Sequence, residues 1–266
     1  MCPVAQSGTR VRPQTNNNCN SCEPATGRGT VLRAFNRSRT PTAMYNRVDT
    51  GSRTLRTCYA TKHADVNAWL DKHFPPTRHS TAVGGSYQVM GVDVEWRSDA
   101  LPNRMALLQL ADVGGNVLLF HVHHSRKEVP ASLDRVLRSP GVLKVGVGVL
   151  EDVKKIQERW PVPVAGVVDL DELERLEEWF SRCPQPHHRR SLAAFAEHYV
   201  HVPSWKQSNI AISNWEAQPL TLEQEAYAAM DAWAGAAIFE HMRPHQAVVD
   251  HMVWSRLPAP PRSPLK

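Results

Sequence analysis

The sequence lacks any long hydrophobic run, and this absence excludes one class of protein. No stretch of about eighteen apolar residues occurs in the chain, so we expect no membrane-spanning helix. The N-terminus also lacks the compact apolar segment of a secretory signal peptide. With 42% hydrophobic and 21% charged residues among 266, the composition is that of a globular protein. We therefore expect an intracellular protein and favour the nucleus or the cytoplasm.

Cysteine is scarce, and its number is odd. In a chain of this length without a secretory signal, we predict free thiols in a reducing compartment. Cys19 and Cys22 have the spacing of zinc ligands, but no second pair follows them, and a structural zinc ion requires four ligands. We therefore assign no metal site to the cysteines. The five are Cys2, Cys19, Cys22, Cys58 and Cys183.

Acidic residues are nearly absent from the N-terminal part of the chain. Residues 1–56 contain nine Arg but only Glu23 and Asp49 as acids, whereas residues 57–241 contain 18 Lys or Arg and 23 Asp or Glu. Residues 1–40 show no apolar periodicity, so we predict a disordered basic arm. Such an arm attracts nucleic acid. An Arg-rich, acid-poor segment is equally typical of an organelle transit peptide, and both interpretations remain open.

The apolar pattern predicts one folded domain at residues 41–242, followed by a disordered Pro-rich tail at 243–266. Strands that lead the domain and then alternate with helices predict a mixed α/β sheet with helices on both faces. The predicted strands are one or two within 45–59, an antiparallel meander at 91–96, 105–110 and 117–122, and then 142–147 and 164–170. The predicted helices are 64–70, 130–137, 150–160, one beginning at Asp169, 191–199 and 221–242. Thr221-Leu222-Glu223-Gln224 has the capping-box pattern that opens the last of them.

Two carboxylates interrupt the first strand of the predicted meander, Gly91–Trp96. Side chains at positions i and i+2 of a strand share a face, so Asp93 and Glu95 should stand side by side. Burying two adjacent carboxylates without compensation is costly. A divalent cation would compensate them, because hard cations prefer oxygen ligands. The alternative is a strand at the sheet edge whose two acids face water.

Two further acidic positions stand out. Asp152 lies in the first turn of a predicted helix, where its favourable interaction with the helix dipole explains it without any function. The preceding Gly146-Val147-Gly148 lacks the third glycine of a dinucleotide-binding fingerprint. On the last predicted helix, Tyr227 and Asp231 are four residues apart and share one face. The alternative there is a buried Tyr–Asp hydrogen bond with no further role.

Taken together, these five residues resemble the DEDDy class of 3′–5′ exonucleases. The resemblance covers about residues 45–242 and is closest to the Werner-syndrome-type exonuclease branch, in a standalone form without a helicase. It implies a ribonuclease-H-like fold, in which three antiparallel strands precede parallel strands. The stretches that carry it are Gly91–Trp96, Leu107–Leu110, Lys144–Asp152, Ser213-Asn214-Trp215 before Pro-Leu-Thr, and Tyr227–Gly235.

The resemblance also implies a mechanism and a set of site residues. Two divalent cations, Mg²⁺ or Mn²⁺, would assist hydrolysis of the terminal phosphodiester. Tyr227 would orient the attacking water, and the product would be a nucleoside 5′-monophosphate. The substrate would be nucleic acid, with DNA favoured and RNA as the alternative. The metal ligands implied are Asp93, Glu95, Asp152 and Asp231.

Contacts to the substrate are less constrained by the sequence. Lys206 could meet a phosphate or be solvated, and Leu150 and Val153 could pack on the terminal nucleotide or belong to the core. We expect Trp215 in the core. Two other functions remain open: a ribonuclease-D-like RNA-trimming exoribonuclease, and a catalytically inactive nucleic-acid-binding module on the same fold. The sequence identifies no protein partner.

Overall fold

A computed structural model describes residues 33–39, 44–49, 54–76, 85–97, 104–181 and 191–256. For 33–39, 44–46 and 180–181 it describes the backbone alone. These residues form one eight-stranded mixed sheet with helices packed on both faces, as predicted. None of the described helices combines the length and apolarity that a bilayer-spanning segment requires.

The elements follow one another along the chain as follows. The strands are β1 (Arg33–Arg39), β2 (Met44–Asp49), β3 (Thr54–Ala60), β4 (Gln88–Trp96), β5 (Met105–Asp112), β6 (Asn116–Phe120), β7 (Val142–Gly146) and β8 (Val167–Asp169). The helices are α1 (His63–His73), α2 (Ala131–Arg138), α3 (Val149–Arg159), α4 (Leu170–Ser181), α5 (Leu192–Val200), α6 (Ser208–Ala211), α7 (Leu222–Met242) and α8 (Gln246–Ser255). A short 3₁₀ turn, Val122–His124, follows β6.

The strand order across the sheet is β1-β2-β3-β6-β5-β4-β7-β8. Strands β4, β5 and β6 form the predicted antiparallel meander, and β7 and β8 continue parallel to β4. On the other side β3 pairs parallel with β6 and leads an antiparallel extension through β2 to β1. The ribonuclease-H-like arrangement is therefore confirmed, and β4 lies inside the sheet rather than at its edge.

Helix α7 lies very close to the sheet because two glycines leave room for it. A Cβ atom on Gly91 would stand 1.8 Å from the carbonyl oxygen of Ala232, and one on Gly235 would stand 2.9 Å from that of Val145. No other residue type fits at Gly91 without moving α7 away from β4. The glycine at the start of the Gly-x-Asp-x-Glu stretch therefore holds the helix that carries Asp231 against the strand that carries Asp93.

The opposite face of the sheet supports β4 through apolar packing. Val92 and Val94 are buried there in a core shared with α1, α2 and α3, and Trp96 packs against that core. Side chains alternate along a strand, so Asp93 and Glu95 point to the α7 face. The predicted alternation is confirmed, and the edge-strand alternative is wrong because β4 is paired on both sides.

The predicted domain boundaries, 41 and 242, are wrong where described residues extend beyond them. Strand β1 falls within the predicted disordered arm, where it is ordered by pairing with β2 rather than by a local apolar pattern. Helix α8 falls within the predicted disordered tail, 243–266. It buries four apolar residues near α4 and β8, namely Val248, Val249, Met252 and Val253. Residues 1–32, with Cys2, Cys19 and Cys22, and residues 257–266 lie outside the described ranges.

Candidate active site

Three carboxylates converge where the end of β4 meets the middle of α7. Asp93, Glu95 and Asp231 each offer an oxygen atom, and these oxygens lie within 4.8 Å of one another. Asp231 is buried, whereas Asp93 and Glu95 are partly buried. Hard divalent cations take such oxygen ligands, so the donor set of this cluster fits one.

Asp231 is fixed in place by two neighbouring donors from the segment that precedes α6. The indole Nε1 of Trp205 donates to Oδ1 of Asp231 at 2.8 Å, and Nζ of Lys206 donates to Oδ2 at 2.7 Å. Lys206 also donates to the hydroxyl of Tyr227 at 3.2 Å. The carboxylate of Asp231 therefore keeps one orientation, facing the acids of β4.

Lys206 is the cation that the structure places against the acid cluster. Burial lowers the pKa of its ammonium group, but attraction by Asp231 and Asp93 outweighs burial and raises the pKa above its usual value. About a third of its side chain, 36%, remains exposed. The sequence left Lys206 as either a phosphate contact or a solvated residue; the structure shows an ion pair within the site.

Asp152 joins the site from the first turn of α3, beside the group of three rather than within it. Burial raises the pKa of its carboxyl to about 7, and the charges of Asp169 and Asp231 add to this effect. Asp152 in turn raises the pKa of Asp93, second only to burial. The four acids that the resemblance selected therefore form one electrostatic unit.

The cluster carries more negative charge than Lys206 compensates. Burial and the charges of Asp152 and Asp231 raise the pKa of Asp93 well above its usual value. Burial and then Asp231 raise the pKa of Glu95 to about 9. Carboxyl groups with raised pKa values retain protons at neutral pH unless other positive charge is supplied. The site therefore has the charge deficit that a bound cation would fill.

Tyr227 stands one turn before Asp231 on the same face of α7, as predicted. Burial, followed by the charge of Asp231, raises the pKa of its phenol to about 12. The hydroxyl is therefore protonated at neutral pH and can donate or accept a hydrogen bond but cannot act as a free base. Its ring lies 6.1 Å from that of Trp215, which is fully buried in the core as predicted.

The start of α7 is tied to the Ser213-Asn214-Trp215 stretch by a capping box. The Thr221 hydroxyl accepts from the amide of Gln224, whose side chain accepts from the Thr221 amide. The side-chain nitrogen Nε2 of Gln224 donates to Ser213 Oγ at 2.9 Å and to the Asn214 carbonyl at 3.1 Å. The predicted capping box is thus confirmed, and it also fixes the loop beside the site.

His121 holds this loop through a hydrogen bond to the backbone of Trp215. The sequence had suggested no role for this histidine. Its Nδ1 is hydrogen-bonded to the Tyr59 hydroxyl, and its Nε2 lies 2.9 Å from the carbonyl oxygen of Trp215. Burial, followed by the charge of His124, lowers the pKa of the imidazole to about 4. The ring is therefore neutral at physiological pH and joins β3, β6 and the loop that packs against Tyr227.

Sequence reasoning also missed two side chains next to the acids. Trp205 would have been found by asking where its indole donor finds a partner, since buried tryptophans usually have one. Gln109 is fully buried on β5 directly across from Asp93, and its amide has no hydrogen-bond partner among the described residues. The sequence feature that could have identified Gln109 is that it is the single amide side chain in the apolar run Met105–Leu110.

The remaining predicted substrate contacts separate into one exposed and one buried residue. Leu150 keeps 40% of its surface exposed at the start of α3. Val153 is 9% exposed and belongs to the core on the face of the sheet opposite α7. The structure therefore supports the core interpretation for Val153 and leaves Leu150 accessible.

Known proteins share both the sequence pattern and the fold. A family model described as 3′-5′ exonuclease matches residues 79–246. Human exonuclease 3'-5' domain-containing protein 2 is 30% identical over 64% of this chain and 29% of its own length. The mouse bifunctional 3'-5' exonuclease/ATP-dependent helicase WRN is 30% identical over 58% of this chain and 11% of its own length. The chain thus spans less than a third of either relative.

A solved structure supports the fold independently. Escherichia coli RNase D, described as an exoribonuclease involved in structured RNA processing, superposes with a TM-score of 0.54 at 19% identity. The match covers 73% of this chain and 45% of that one, and at this identity it supports the fold alone. The family model spans more than half of the chain and includes all five residues that carried the resemblance. The chain therefore belongs to the 3′–5′ exonuclease domain family.

Proposed function

We propose that this chain is a metal-dependent 3′–5′ exonuclease. It would hydrolyse the terminal phosphodiester bond of nucleic acid, with DNA favoured over RNA, and release nucleoside 5′-monophosphates. The observation that carries the proposal is the convergence of Asp93, Glu95 and Asp231 from β4 and α7 into one cluster, with Asp152 of α3 beside it. A merely structural role would not favour four neighbouring carboxylates, because burial and nearby like charges both disfavour their ionised forms.

Two divalent cations, Mg²⁺ or Mn²⁺, are the cofactors of the proposal. Asp93, Glu95 and Asp231 would hold them, with Asp152 contributing from the start of α3. When bound, the cations supply a water of lowered pKa and neutralise charge on the reacting phosphate. The all-oxygen donor set and the charge deficit of the cluster both support this assignment.

Three side chains of the protein would orient the attacking water and the substrate. The protonated hydroxyl of Tyr227 lies one helical turn from Asp231 and would orient the attacking water by a hydrogen bond. Lys206 would pair with a phosphate of the substrate once cations compensate Asp231 and Asp93. Leu150 would contact the terminal base or sugar. Localisation to the nucleus or cytoplasm stays a prediction, as does organelle import through residues 1–40.

A degradation assay with 5′-labelled DNA and RNA tests the proposal. With Mg²⁺ or Mn²⁺ the protein should shorten a single strand and a 3′-recessed duplex stepwise from the 3′ end. DNA should be degraded faster than RNA of the same sequence. Asp134→Asn provides a matched control, because it removes a carboxylate from a surface ion pair with Arg138 and should leave the rate unchanged.

The same assay separates the alternatives. A strong preference for RNA would favour the RNA-trimming function over the DNA-directed one. Binding of both strands with no shortening under any divalent cation would indicate a nucleic-acid-binding module and would contradict the proposal.

A further inference from the structure

A second polar cavity lies outside the acid cluster, between the start of α1 and the turn that follows β6. Its volume is about 530 Å³. Lys62 and Arg126 contribute positive charge to it, two further lining residues are histidines, and no carboxylate is among the described residues that line it. The residues that line it are Thr61, Lys62, His63, Ala64, His124 and Arg126.

The cavity opens at the same edge of the sheet as the acid cluster. Ala60, Phe120, Leu108 and Val94 are register partners across β3, β6, β5 and β4, and so form one row. The chain enters the cavity directly after Ala60, while Asp93 and Glu95 flank Val94. Three strand spacings of about 4.8 Å place the cavity roughly 14 Å from the acids. A stacked strand rises about 3.4 Å per nucleotide, so this distance spans three to four nucleotides.

The two strongest cations of the cavity are available to a ligand. Lys62 and Arg126 are exposed, and neither side chain has a hydrogen bond or ion pair with any residue that the structure describes. The carboxylate oxygens of the nearby acid Glu216 lie 3.9 Å from the guanidinium of Arg97 and 3.5 Å from the imidazole of His123. The carboxylate of Glu216 thus contacts Arg97 and His123 and forms no ion pair with Lys62 or Arg126.

The turn that carries Arg126 is held in place and is surrounded by further positive charge. The guanidinium of Arg159 donates to the carbonyl oxygens of Lys127 at 3.1 Å and Arg126 at 3.0 Å. Burial, and then repulsion by Arg104, lower the pKa of Arg159. Arg104 and Arg159 therefore add positive charge to this part of the sheet edge, where Glu128 is the neighbouring acid. The backbone that positions Arg126 is fixed by Arg159 rather than free to turn away.

We propose that this cavity binds a backbone phosphate of the substrate strand, three to four nucleotides from the bond that is cleaved. The inference rests on the proposed function, because the acid cluster defines where the 3′ end lies. The side chains of Lys62 and Arg126 supply the charge. Lys62 is the N-cap of α1, so the positive end of the helix dipole lies beside these side chains, where Asp65 in the first turn offsets part of it. This contact would hold the strand by its backbone and read no base.

A double charge reversal with a matched control tests the inference. Lys62→Glu with Arg126→Glu should weaken binding of a labelled single strand of about twelve nucleotides by at least about tenfold, measured by anisotropy with chelator present. The slope of log affinity against log salt should fall by about 0.7, the value for one lost phosphate contact on a single strand. The control, Lys72→Glu with Arg138→Glu, reverses the same amount of charge in the last turns of α1 and α2. It should change neither the affinity nor the salt slope.

Kinetics provide the second measurement. Lengthening the substrate from two to about eight nucleotides should lower the wild-type KM, because only the longer strand reaches the cavity. In the Lys62→Glu, Arg126→Glu variant the longer substrate should lower KM far less, whereas the control variant should show the wild-type decrease. Wild-type affinity and salt slope in the cavity variant, with its melting temperature retained, would overturn the inference. Since binding is measured without metal, a wild-type protein that binds normally but cleaves nothing would contradict the proposed function instead.

Discussion

Replacing Asp93 with Asn should lower the rate of nucleotide release by at least about a thousandfold. The amide keeps the shape of the side chain but loses the anionic oxygen that lies beside Glu95 and Asp231. A cation ligated by three carboxylates would then lose one of them, and Asp231 cannot move to replace it because the indole of Trp205 holds its carboxylate in place. The rate is measured as the stepwise shortening of a 5′-labelled strand at saturating Mn²⁺.

The same substitution should stabilise the metal-free protein. Burial and three neighbouring acids raise the pKa of Asp93, so its charged form opposes folding. Removing the ionisable group should raise the melting temperature in chelator by several degrees, since about 1 kcal/mol corresponds to about 2–4 °C at this size. Loss of activity together with higher stability distinguishes a functional carboxylate from a structural one.

Glu95→Gln should behave in the same way, whereas the surface control Asp134→Asn should change neither quantity. A destabilised Asp93→Asn protein would indicate that the carboxylate serves the fold. Retained activity in either amide variant would show that the replaced carboxylate of β4 is not needed for catalysis.

Removing divalent cations should abolish nucleotide release, and adding them back should stabilise the protein more at pH 9 than at pH 6. The pKa of Glu95 is raised to about 9 and that of Asp152 to about 7 in the folded protein. In the unfolded chain both lie near 4. The folded state therefore binds more protons than the unfolded state between about pH 4 and pH 9.

The sign of the pH dependence follows from this difference in bound protons. A carboxyl group whose folded pKa is raised contributes its full stability below about pH 4 and loses it as the pH rises through the folded value. Without metal, the melting temperature should consequently fall from pH 6 to pH 9. Cations replace the protons and should restore it, so the shift caused by Mg²⁺ or Mn²⁺ should grow with pH.

Thermal scans in chelator and in excess Mn²⁺ across this range measure the effect. The double variant Asp93→Asn with Glu95→Gln should show a much smaller metal-induced shift at every pH. A wild-type shift that is absent, or that shrinks as the pH rises, would mean that these acids do not bind the cation.

The parts of the molecule that the sequence predicted are those with local signals. Alternating side chains on β4, the capping box at Thr221 and Gln224, and the four-residue spacing of Tyr227 and Asp231 each lie within a few residues. Their convergence was predicted only through the family resemblance, because no local pattern states that β4, α3 and α7 meet. Gly91 supplies the physical reason, since its missing side chain allows the close approach of α7.

The parts that the sequence did not predict depend on distant partners. Lys206 lies in an irregular segment, so no periodicity showed that its ammonium group reaches Asp231, 25 residues later. His121 bridges Tyr59 and Trp215, which are separated from it by 62 and 94 residues. Helix α8 was hidden by the neighbouring prolines of the tail. Each case needed the tertiary arrangement, which places a donor beside an acceptor across the sheet.

The most direct test of the site is anomalous scattering from crystals soaked in Mn²⁺. Two peaks should appear among Asp93, Glu95, Asp152 and Asp231, and Lys206 should release Asp231 as the cations take over its charge. Asp93→Asn crystals should lose at least one peak. Mn²⁺ absent from this cluster at saturating concentration, with the ion pair between Lys206 and Asp231 intact, would contradict the assignment of these four carboxylates as metal ligands.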